Sequence, residues 1–287
     1  MEAARAEHKI QILITNVGSF LGSEVAKSLL ATNCTIFGIG STRLSHSILK
    51  NRDFTLLEID LAQPLPAYLP DFDIIFDLSL LSNSGSDIGD LPRISPQTIN
   101  IISLAAKNQA KVFIFAPVAT SHEFYDYLTA RQPSLKENLT LFLIGDLYGP
   151  GMPISGENLL TSLIKQASLE DKIILENEGL EHIYPAYITD VIFALNKFTF
   201  GQERQKIHYL VSEDAKTSLS VAYEIQNAVR IIANKEVGLF FAGKVPRAYS
   251  EPEVKVAAHE LGFSPKVDLR EGLKKTIEDL VSKDLIR

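Results

Sequence analysis

Short runs of β-branched and aliphatic residues alternate with segments of helical apolar spacing through the first half of the chain. In the segment 21–31, Leu21, Val25 and Leu29 recur at the spacing of one helix face. Near-continuous apolar strands that alternate with helices indicate a parallel sheet covered by helices on both faces. The pattern therefore predicts an α/β fold with a doubly wound parallel sheet. Strands are predicted over residues 9–15, 35–39, 54–59, 73–78, 111–115 and 141–144, and helices over 21–31 and 94–108.

Beyond residue 151 the pattern changes and helical segments dominate. We expect one α/β domain over residues 1–151 and a smaller α+β region over 152–287, and the sheet can receive an additional strand from the second region. This region is expected to pack at the carboxyl ends of the strands, where such folds bind ligands. Residues 82–90 are the most loop-like stretch, and we expect a mobile segment over the cleft. Helices are predicted over 156–167, 189–197, 218–233, 252–261 and 271–280, and strands over 172–175 and 207–210.

Composition narrows the classes of function. Lys and Arg total 28 against 35 Asp and Glu, a formal net charge of −7, whereas nonspecific nucleic-acid binding depends on cations that neutralise phosphates. The single cysteine, Cys34, excludes an internal disulfide and a site of several cysteines. The histidines show no metal-ligand spacing. Residues 1–9 are polar, unlike a signal peptide, and no apolar run approaches the roughly 20 residues that span a bilayer. We therefore expect a cytoplasmic protein without a metal site.

Four stretches of the chain resemble the extended short-chain dehydrogenase/reductase family, which includes the nucleotide-sugar epimerases and dehydratases. Residues 15–22 (TNVGSFLG) resemble the family's TGxxGFxG turn, and 143–151 (LIGDLYGPG) resemble its RPGNVYGPG stretch. Residues 187–191 (YITDV) resemble YVDDV, and 261–277 resemble the tail LGFxP…EGLxxTI. The matches follow the family's order and spacing from about residue 9 to residue 280. The resemblance implies a dinucleotide-binding first domain, a substrate-binding second region, and NAD or NADP as cofactor.

The turn departs from the family pattern at two positions. Asn16 and Ser19 stand where the family has the first two glycines of G-x-x-G-x-x-G. Glycines there let the backbone approach a pyrophosphate at the N-terminus of the following helix. Asn tolerates a left-handed backbone, whereas Ser19 adds a side chain where the phosphate would approach. The alternative is an ordinary turn that no longer holds a ligand.

The resemblance also implies which residues contact the ligands. After the second strand no acidic residue is present to bind a ribose 2′-hydroxyl, so Ser41 and Arg43 favour a 2′-phosphate, although a solvated loop is equally compatible. On the substrate side the polar candidates are His182, Tyr184 and Arg247, with a nucleotide-sugar as the implied ligand. The implied cofactor contacts are Asn16, Gly18, Ser19, Phe20, Leu21, Gly22, Ser41, Arg43, Asp60, Leu61, Leu78 and Ser79.

The family's proton chemistry uses a Ser or Thr after the fifth strand and a Tyr-x-x-x-Lys on the next helix. Here the strand end reads Ala-Pro-Val at 116–118, and none of these side chains can share a proton. Thr120 and Ser121 follow two or three residues later. Tyr127 and Arg131 are the best match to the Tyr-Lys pair, but a planar guanidinium and an ammonium place their donors differently. The short connection to the sixth strand predicts a truncated helix.

Two hypotheses follow. The first is a catalytically degenerate family member that binds a dinucleotide or a nucleotide-sugar, or acts through a partner. The second is an active NAD(P)-dependent enzyme on a nucleotide-sugar, in which Thr120, Ser121 and Tyr127 supply the proton chemistry. The first is favoured because the turn, the serine cluster and the Tyr-Lys pair all depart from the family. Family dimers pair the helices beside the fifth strand, so the truncated helix weakens the expectation of a homodimer.

Overall fold

The computed structural model describes residues 9–40, 44–82, 95–156, 158–201, 206–212, 215–243 and 263–286. Three of the implied ligand contacts, Ser41, Arg43 and Arg247, lie outside the described residues, as do the helix expected over 252–261 and most of the loop expected over 82–90.

The strands and helices alternate through the first half of the chain, as the sequence predicts. In chain order the strands are β1 (Ile10–Ile14), β2 (Cys34–Ile39), β3 (Phe54–Leu57), β4 (Ile74–Asp77), β5 (Lys111–Pro117), β6 (Leu139–Ile144), β7 (Asp146–Tyr148), β8 (Lys172–Leu175), β9 (His182–Ile183), β10 (Pro185–Tyr187), β11 (Ile207–Leu210), β12 (Lys216–Thr217) and β13 (Gly238–Phe241). The helices are α1 (Phe20–Leu29), α2 (His46–Leu49), α3 (Pro96–Asn108), α4 (Glu123–Arg131), α5 (Leu159–Leu169), α6 (Ile188–Phe200), α7 (Ser218–Ala233) and α8 (Leu269–Ser282).

Seven parallel strands form the central sheet in the order β11-β6-β5-β4-β1-β2-β3. The chain runs from β1 outward to β3 and then returns to β4 on the other side of β1. The strand order therefore reverses between β1 and β4, and open sheets of this kind bind ligands beyond the carboxyl ends at that point. The structure confirms the predicted α/β fold, and its seventh strand, β11, comes from the second half of the chain.

Helices cover both faces of the sheet. Ile12 and Ile14 of β1 pack in the same core as α1 and α6, whereas Leu13 packs in the core that includes α3 and α4. This alternation follows from the two-residue period of a strand. A third core lies among α5, α7 and α8 and is built around residues such as Tyr148 and Leu273. No helix in the described ranges combines the length and the apolarity needed to cross a bilayer.

The helix between β5 and β6 is short, as the sequence predicts. α4 has 9 residues and is followed by a 3-10 turn at Pro133–Leu135. His122 immediately precedes α4, and its side chain makes no capping hydrogen bond to the helix. Phe124 and Leu128 are fully buried against the sheet, so α4 still seals this face of the core.

Three of the family-like motifs pack against one another. Pairing of β7 with β10 sets Tyr148 beside Tyr187, with ring centroids 5.4 Å apart and an interplanar angle of 63°. A Cβ at Gly272 of α8 would overlap the Tyr148 hydroxyl and lie 2.9 Å from its Cζ. The buried carboxylate of Asp190 accepts hydrogen bonds from the backbone N–H of Lys266 and Val267, each at 3.0 Å. These motifs therefore attach the C-terminal helix to the end of the sheet.

We expect Gly272→Ala to destabilise the protein by about 1–3 kcal/mol, the usual cost of overpacking a filled core. Tyr148 is 1% exposed and is held between Tyr187 and α8, so its ring cannot move aside without disturbing both. Thermal unfolding measures the effect, and Gly243→Ala is the matched control because a Cβ there meets nothing within 4 Å. Equal melting temperatures for the two variants would contradict this packing.

Candidate functional site

A buried hydrogen-bond network joins β1 to β4 at the point where the strand order reverses. The Thr15 hydroxyl donates to Asp77 Oδ1 at 2.8 Å and accepts from the Leu78 N–H at 2.9 Å. The Ser79 N–H donates to the same carboxylate oxygen at 3.1 Å. The network fixes the backbone of Leu78 and Ser79, two of the implied cofactor contacts, directly beside the turn after β1.

The Asp77 carboxyl is fully buried. Its Oδ2 has no hydrogen-bond partner in the described part of the chain. Burial raises the pKa of this carboxyl despite the hydrogen bonds from Ser79 and Thr15, which oppose the shift. Desolvation therefore favours the neutral acid. An aspartate that ends an otherwise apolar strand is visible in the sequence, but its Thr15 partner lies 62 residues away.

The turn after β1 contains a residue in the left-handed conformation. Asn16 has a φ of 48°, a conformation that Asn tolerates better than most residues. A Cβ at Gly22 would lie 2.6 Å from the Asn16 carbonyl oxygen and 2.9 Å from Val17 Cα. The third glycine of the family pattern is thus needed for close packing of the turn against α1, and Gly18 lies half-buried between these residues.

Ser19 caps α1 and leaves two backbone donors open. Its Oγ accepts from the Gly22 N–H at 3.1 Å. Within the described ranges no group accepts from the N–H of Phe20 or of Leu21, and the first turn carries no acidic residue. Open N–H groups at a helix N-terminus, together with the helix dipole, favour an anion. Ser19 therefore accepts from the N–H of Gly22, and the N–H groups of Phe20 and Leu21 stay without an acceptor in the described ranges.

Among the other described cofactor candidates, Asp60 lies in an exposed loop, and Leu61, Leu78 and Ser79 are buried. Asp60 is exposed after β3, and its carboxylate accepts from the Ala62 N–H at 2.9 Å. Leu61 and Leu78 are buried core residues. Ser79 is buried, and its Oγ lies 3.5 Å from the Thr98 hydroxyl on α3. Phe20 lies between the sheet and the third core.

The end of β5 presents no hydroxyl group. Ala116 is buried, Pro117 is exposed, and Val118 packs against the core beneath α4 while its N–H donates to the Ile144 carbonyl at 2.8 Å. Thr120 is half-buried in the following turn. The exposed Ser121 accepts the Glu123 N–H at 3.3 Å at the start of α4.

Tyr127 lies on an exposed face of α4, with 37% of its surface accessible. Arg131, one turn later, donates from Nη2 to the Tyr127 hydroxyl at 2.7 Å, and its guanidinium carbon lies 4.9 Å from the ring centroid. No hydrogen bond links this pair to Thr120 or Ser121 within the described chain. The structure thus pairs the two residues that match Tyr-x-x-x-Lys but does not join them to the other two catalytic candidates.

A histidine–tyrosine pair lies near the end of β5 and was not predicted from the sequence. His122 Nε2 and the Tyr209 hydroxyl are hydrogen-bonded, and their ring centroids are 5.5 Å apart. Burial raises the pKa of the Tyr209 phenol. The pair ties the start of α4 to the edge strand β11. The two residues are 87 positions apart in the sequence, so no local sequence pattern predicts the contact.

Asp146 lies where the sheet meets the second region. It is the first residue of β7, and its Oδ2 accepts the Tyr184 N–H at 3.1 Å. Burial raises its pKa to about 6, against the opposing effect of the hydrogen bond from the Tyr184 N–H. His182 and Tyr184, the described substrate candidates, are half-buried on either side of Ile183. In the described ranges no group of three or more His, Cys, Asp or Glu side chains forms a metal site.

We expect Asp146→Asn to flatten the pH dependence of stability between about pH 4 and pH 6. A carboxyl whose pKa rises on folding, here from 3.8 to about 6, holds its proton more tightly in the folded state. Wild-type protein therefore loses stability as pH rises through this window, by at most about 1.4 kcal/mol per pH unit. Removing the carboxyl should raise stability at pH 7–8 relative to pH 4.

Denaturant unfolding at several pH values measures this effect. Asp126→Asn, which removes an exposed carboxylate on α4, is the matched control, and the buried Asp77 contributes equally to all three proteins. Parallel stability–pH curves for wild type and Asp146→Asn would contradict the assignment.

Comparison with known proteins shows similarity to a curated protein over part of the sequence and to solved structures over nearly all of it. No protein-family model matches the chain. It is 24% identical over 138 residues to UDP-glucuronic acid decarboxylase 5 of Arabidopsis thaliana, a match that spans 47% of this chain and 39% of the decarboxylase.

Solved structures resemble the chain over nearly its whole length. The UDP-glucuronic acid 4-epimerase of Bacillus cereus, solved in complex with NAD, superposes with a TM-score of 0.71 at 17% identity and covers 96% of this chain and 99% of the epimerase. The UDP-glucose 4-epimerase of Thermotoga maritima, solved with UDP-glucose, gives a TM-score of 0.69 at 16% identity, with the same coverage. The chain therefore has the fold of the NAD-dependent nucleotide-sugar epimerases and dehydratases of the extended short-chain dehydrogenase/reductase family.

Proposed function

We propose that this protein is a catalytically degenerate member of that family, which binds a dinucleotide at the turn after β1 and lacks the family's proton chemistry. The observation that carries the proposal is the contrast between the carboxyl ends of β1 and β5, the two strands that flank β4. The N-terminus of α1 offers two open N–H donors beside β1, whereas β5 ends in side chains that cannot exchange a proton.

Two lines of support favour a dinucleotide at α1. Phe20 and Leu21 offer N–H groups to an anion, and Asn16 has a left-handed backbone at a position where the family pattern has a glycine. Proteins of the same fold were solved in complex with NAD. NAD is accordingly the first cofactor to test, and the preference for NADP inferred from Ser41 and Arg43 remains a prediction.

The loss of proton chemistry is supported by burial and hydrogen bonding. A Tyr general acid or base must reach the reacting atoms within about 2.6–3.2 Å. Tyr127 is exposed on α4, and its hydroxyl is bonded to Arg131. The positions that match the family's serine cluster hold Ala116, Pro117 and Val118, of which Ala116 is buried and Val118 packs against the core.

One observation favours the alternative of an active nucleotide-sugar epimerase, dehydratase or reductase. Arg131 Nη2 donates to the Tyr127 hydroxyl at 2.7 Å, so the two residues that best match the Tyr-Lys pair are in contact. In that alternative Tyr127 is the acid or base, with Thr120 or Ser121 as its hydroxyl partner. A nucleotide-sugar ligand near His182 and Tyr184, a homodimer through α3 and α4, action through a protein partner and a cytoplasmic location also remain predictions.

We expect calorimetric titration to detect micromolar binding of at least one of NAD⁺, NADH, NADP⁺ and NADPH, after mass spectrometry has excluded co-purified nucleotide. Gly22→Ala should abolish this binding, because a Cβ there overlaps the backbone of the turn. Gly243→Ala, whose Cβ meets nothing within 4 Å, should bind as the wild type does. Folded wild-type protein that binds none of the four nucleotides would contradict the proposal.

We expect Tyr127→Phe to leave nucleotide affinity and thermal stability within error of wild type. The substitution removes one surface hydrogen bond, and surface pairs contribute little to stability. Incubation with NAD⁺ and UDP-glucose or UDP-glucuronic acid, followed by product analysis, should show no turnover by either protein. Turnover by wild type that disappears in Tyr127→Phe would establish the active-enzyme alternative instead.

A further inference from the structure

One side chain of α3 holds the loop that follows β3, residues 60–63. The Asn100 Nδ2 group donates to the Leu61 carbonyl at 2.8 Å and to the Gln63 carbonyl at 2.9 Å. An amide nitrogen carries two hydrogens, so both donors of this group are committed to the loop. The partners lie 39 and 37 positions before Asn100 in the sequence. The contact therefore joins the edge of the sheet to a helix from a later part of the chain.

The loop 60–63 is also ordered by hydrogen bonds within itself. The Gln63 N–H donates to the Asp60 carbonyl at 3.1 Å, and the Ala62 N–H donates to Asp60 Oδ1 at 2.9 Å. The Leu61 side chain is buried and packs in the core that includes α3. Asp60 thus closes the turn from within, Leu61 anchors it to the core, and Asn100 binds the carbonyls of its second and fourth residues.

The loop lies at the edge of the sheet where the dinucleotide is proposed to bind. β1, β2 and β3 are parallel neighbours, so their carboxyl ends share one edge. The Val17 N–H in the turn after β1 donates to the Ile39 carbonyl at the end of β2 at 3.0 Å. In dinucleotide-binding sheets of this kind the pyrophosphate lies at the first helix, and the ribose of the adenosine half lies at the end of the second strand. We therefore expect the attached base beside the next strand end, that of β3.

We propose that Asn100 is a positioning residue for the dinucleotide: it fixes the loop 60–63 as the wall that the adenine base contacts. The inference rests on the proposed function, because it requires a dinucleotide in the crevice. Asn100 acts through the loop and not by touching the ligand, since both of its donors are bound to Leu61 and Gln63. A wall that is ordered before binding removes the cost of ordering it when the ligand arrives. Without these two bonds the adenosine half of a dinucleotide loses affinity, and the nicotinamide half does not.

NMR titration with AMP and with nicotinamide mononucleotide tests this role, because each ligand carries one half of NAD⁺. In wild-type protein AMP should shift the amide signals of residues 61–63. Asn100→Ala should weaken AMP and NAD⁺ binding by about tenfold, and should leave the affinity for nicotinamide mononucleotide within about twofold of wild type. Asn108→Ala is the matched control, because Asn108 ends the same helix and its Nδ2 donates to Asp71 Oδ1 at 2.6 Å. This control should bind all three ligands as the wild type does.

The outcomes separate this inference from the proposed function. Wild-type protein that binds NAD⁺ and AMP, with unchanged affinities in folded Asn100→Ala, refutes the positioning role alone. An equal loss of affinity for AMP and nicotinamide mononucleotide also refutes it, because a general structural defect produces that result. If the variant does not fold, the wild-type titration decides: shifts at residues 61–63 on AMP binding support the role, and AMP binding without them overturns it. If the wild type binds none of the nucleotides, the proposed function and this inference are both refuted.

Discussion

A helix that starts at the carboxyl edge of the sheet carries backbone N–H groups without partners in its first turn, and each must find an acceptor. At α1 the acceptor for Gly22 is the Ser19 hydroxyl, and the donors of Phe20 and Leu21 remain open. At α5 the Asn158 side chain accepts the Thr161 N–H at 2.8 Å. The open donors at α1 determine where an anionic ligand is favoured, and the functional account depends on them.

The motifs that resemble the family pack in the core, whereas the residues that match its serine cluster, Ala116, Pro117 and Val118, carry no hydroxyl group. Tyr148, Tyr187 and Gly272 pack into one contact that joins β7, β10 and α8, and Asp190 anchors the segment before α8 through two backbone donors. The side chain of Val118, in contrast, packs against the core beneath α4. Packing positions tolerate few substitutions because interiors are dense, so a chain can lose catalytic groups and keep the fold.

Much of the fold is predictable from the sequence because strands and helices here have clear boundaries. β8 and β11 begin and end where the short apolar runs do, and Asn16 takes the left-handed conformation that replaces a glycine. The site is less predictable, because its important contacts join distant segments. His122 meets Tyr209 across 87 residues and Tyr184 donates to Asp146 across 38. Such contacts depend on how helices and strands pack, and no local periodicity encodes them.

Amide hydrogen exchange with and without NAD⁺, resolved to single residues, tests dinucleotide binding at the N-terminus of α1 most directly. A bound pyrophosphate accepts hydrogen bonds from the amides it contacts and slows their exchange. The account predicts that saturating NAD⁺ protects Phe20 and Leu21. Unchanged exchange at Phe20 and Leu21 in NAD⁺-bound protein would contradict it.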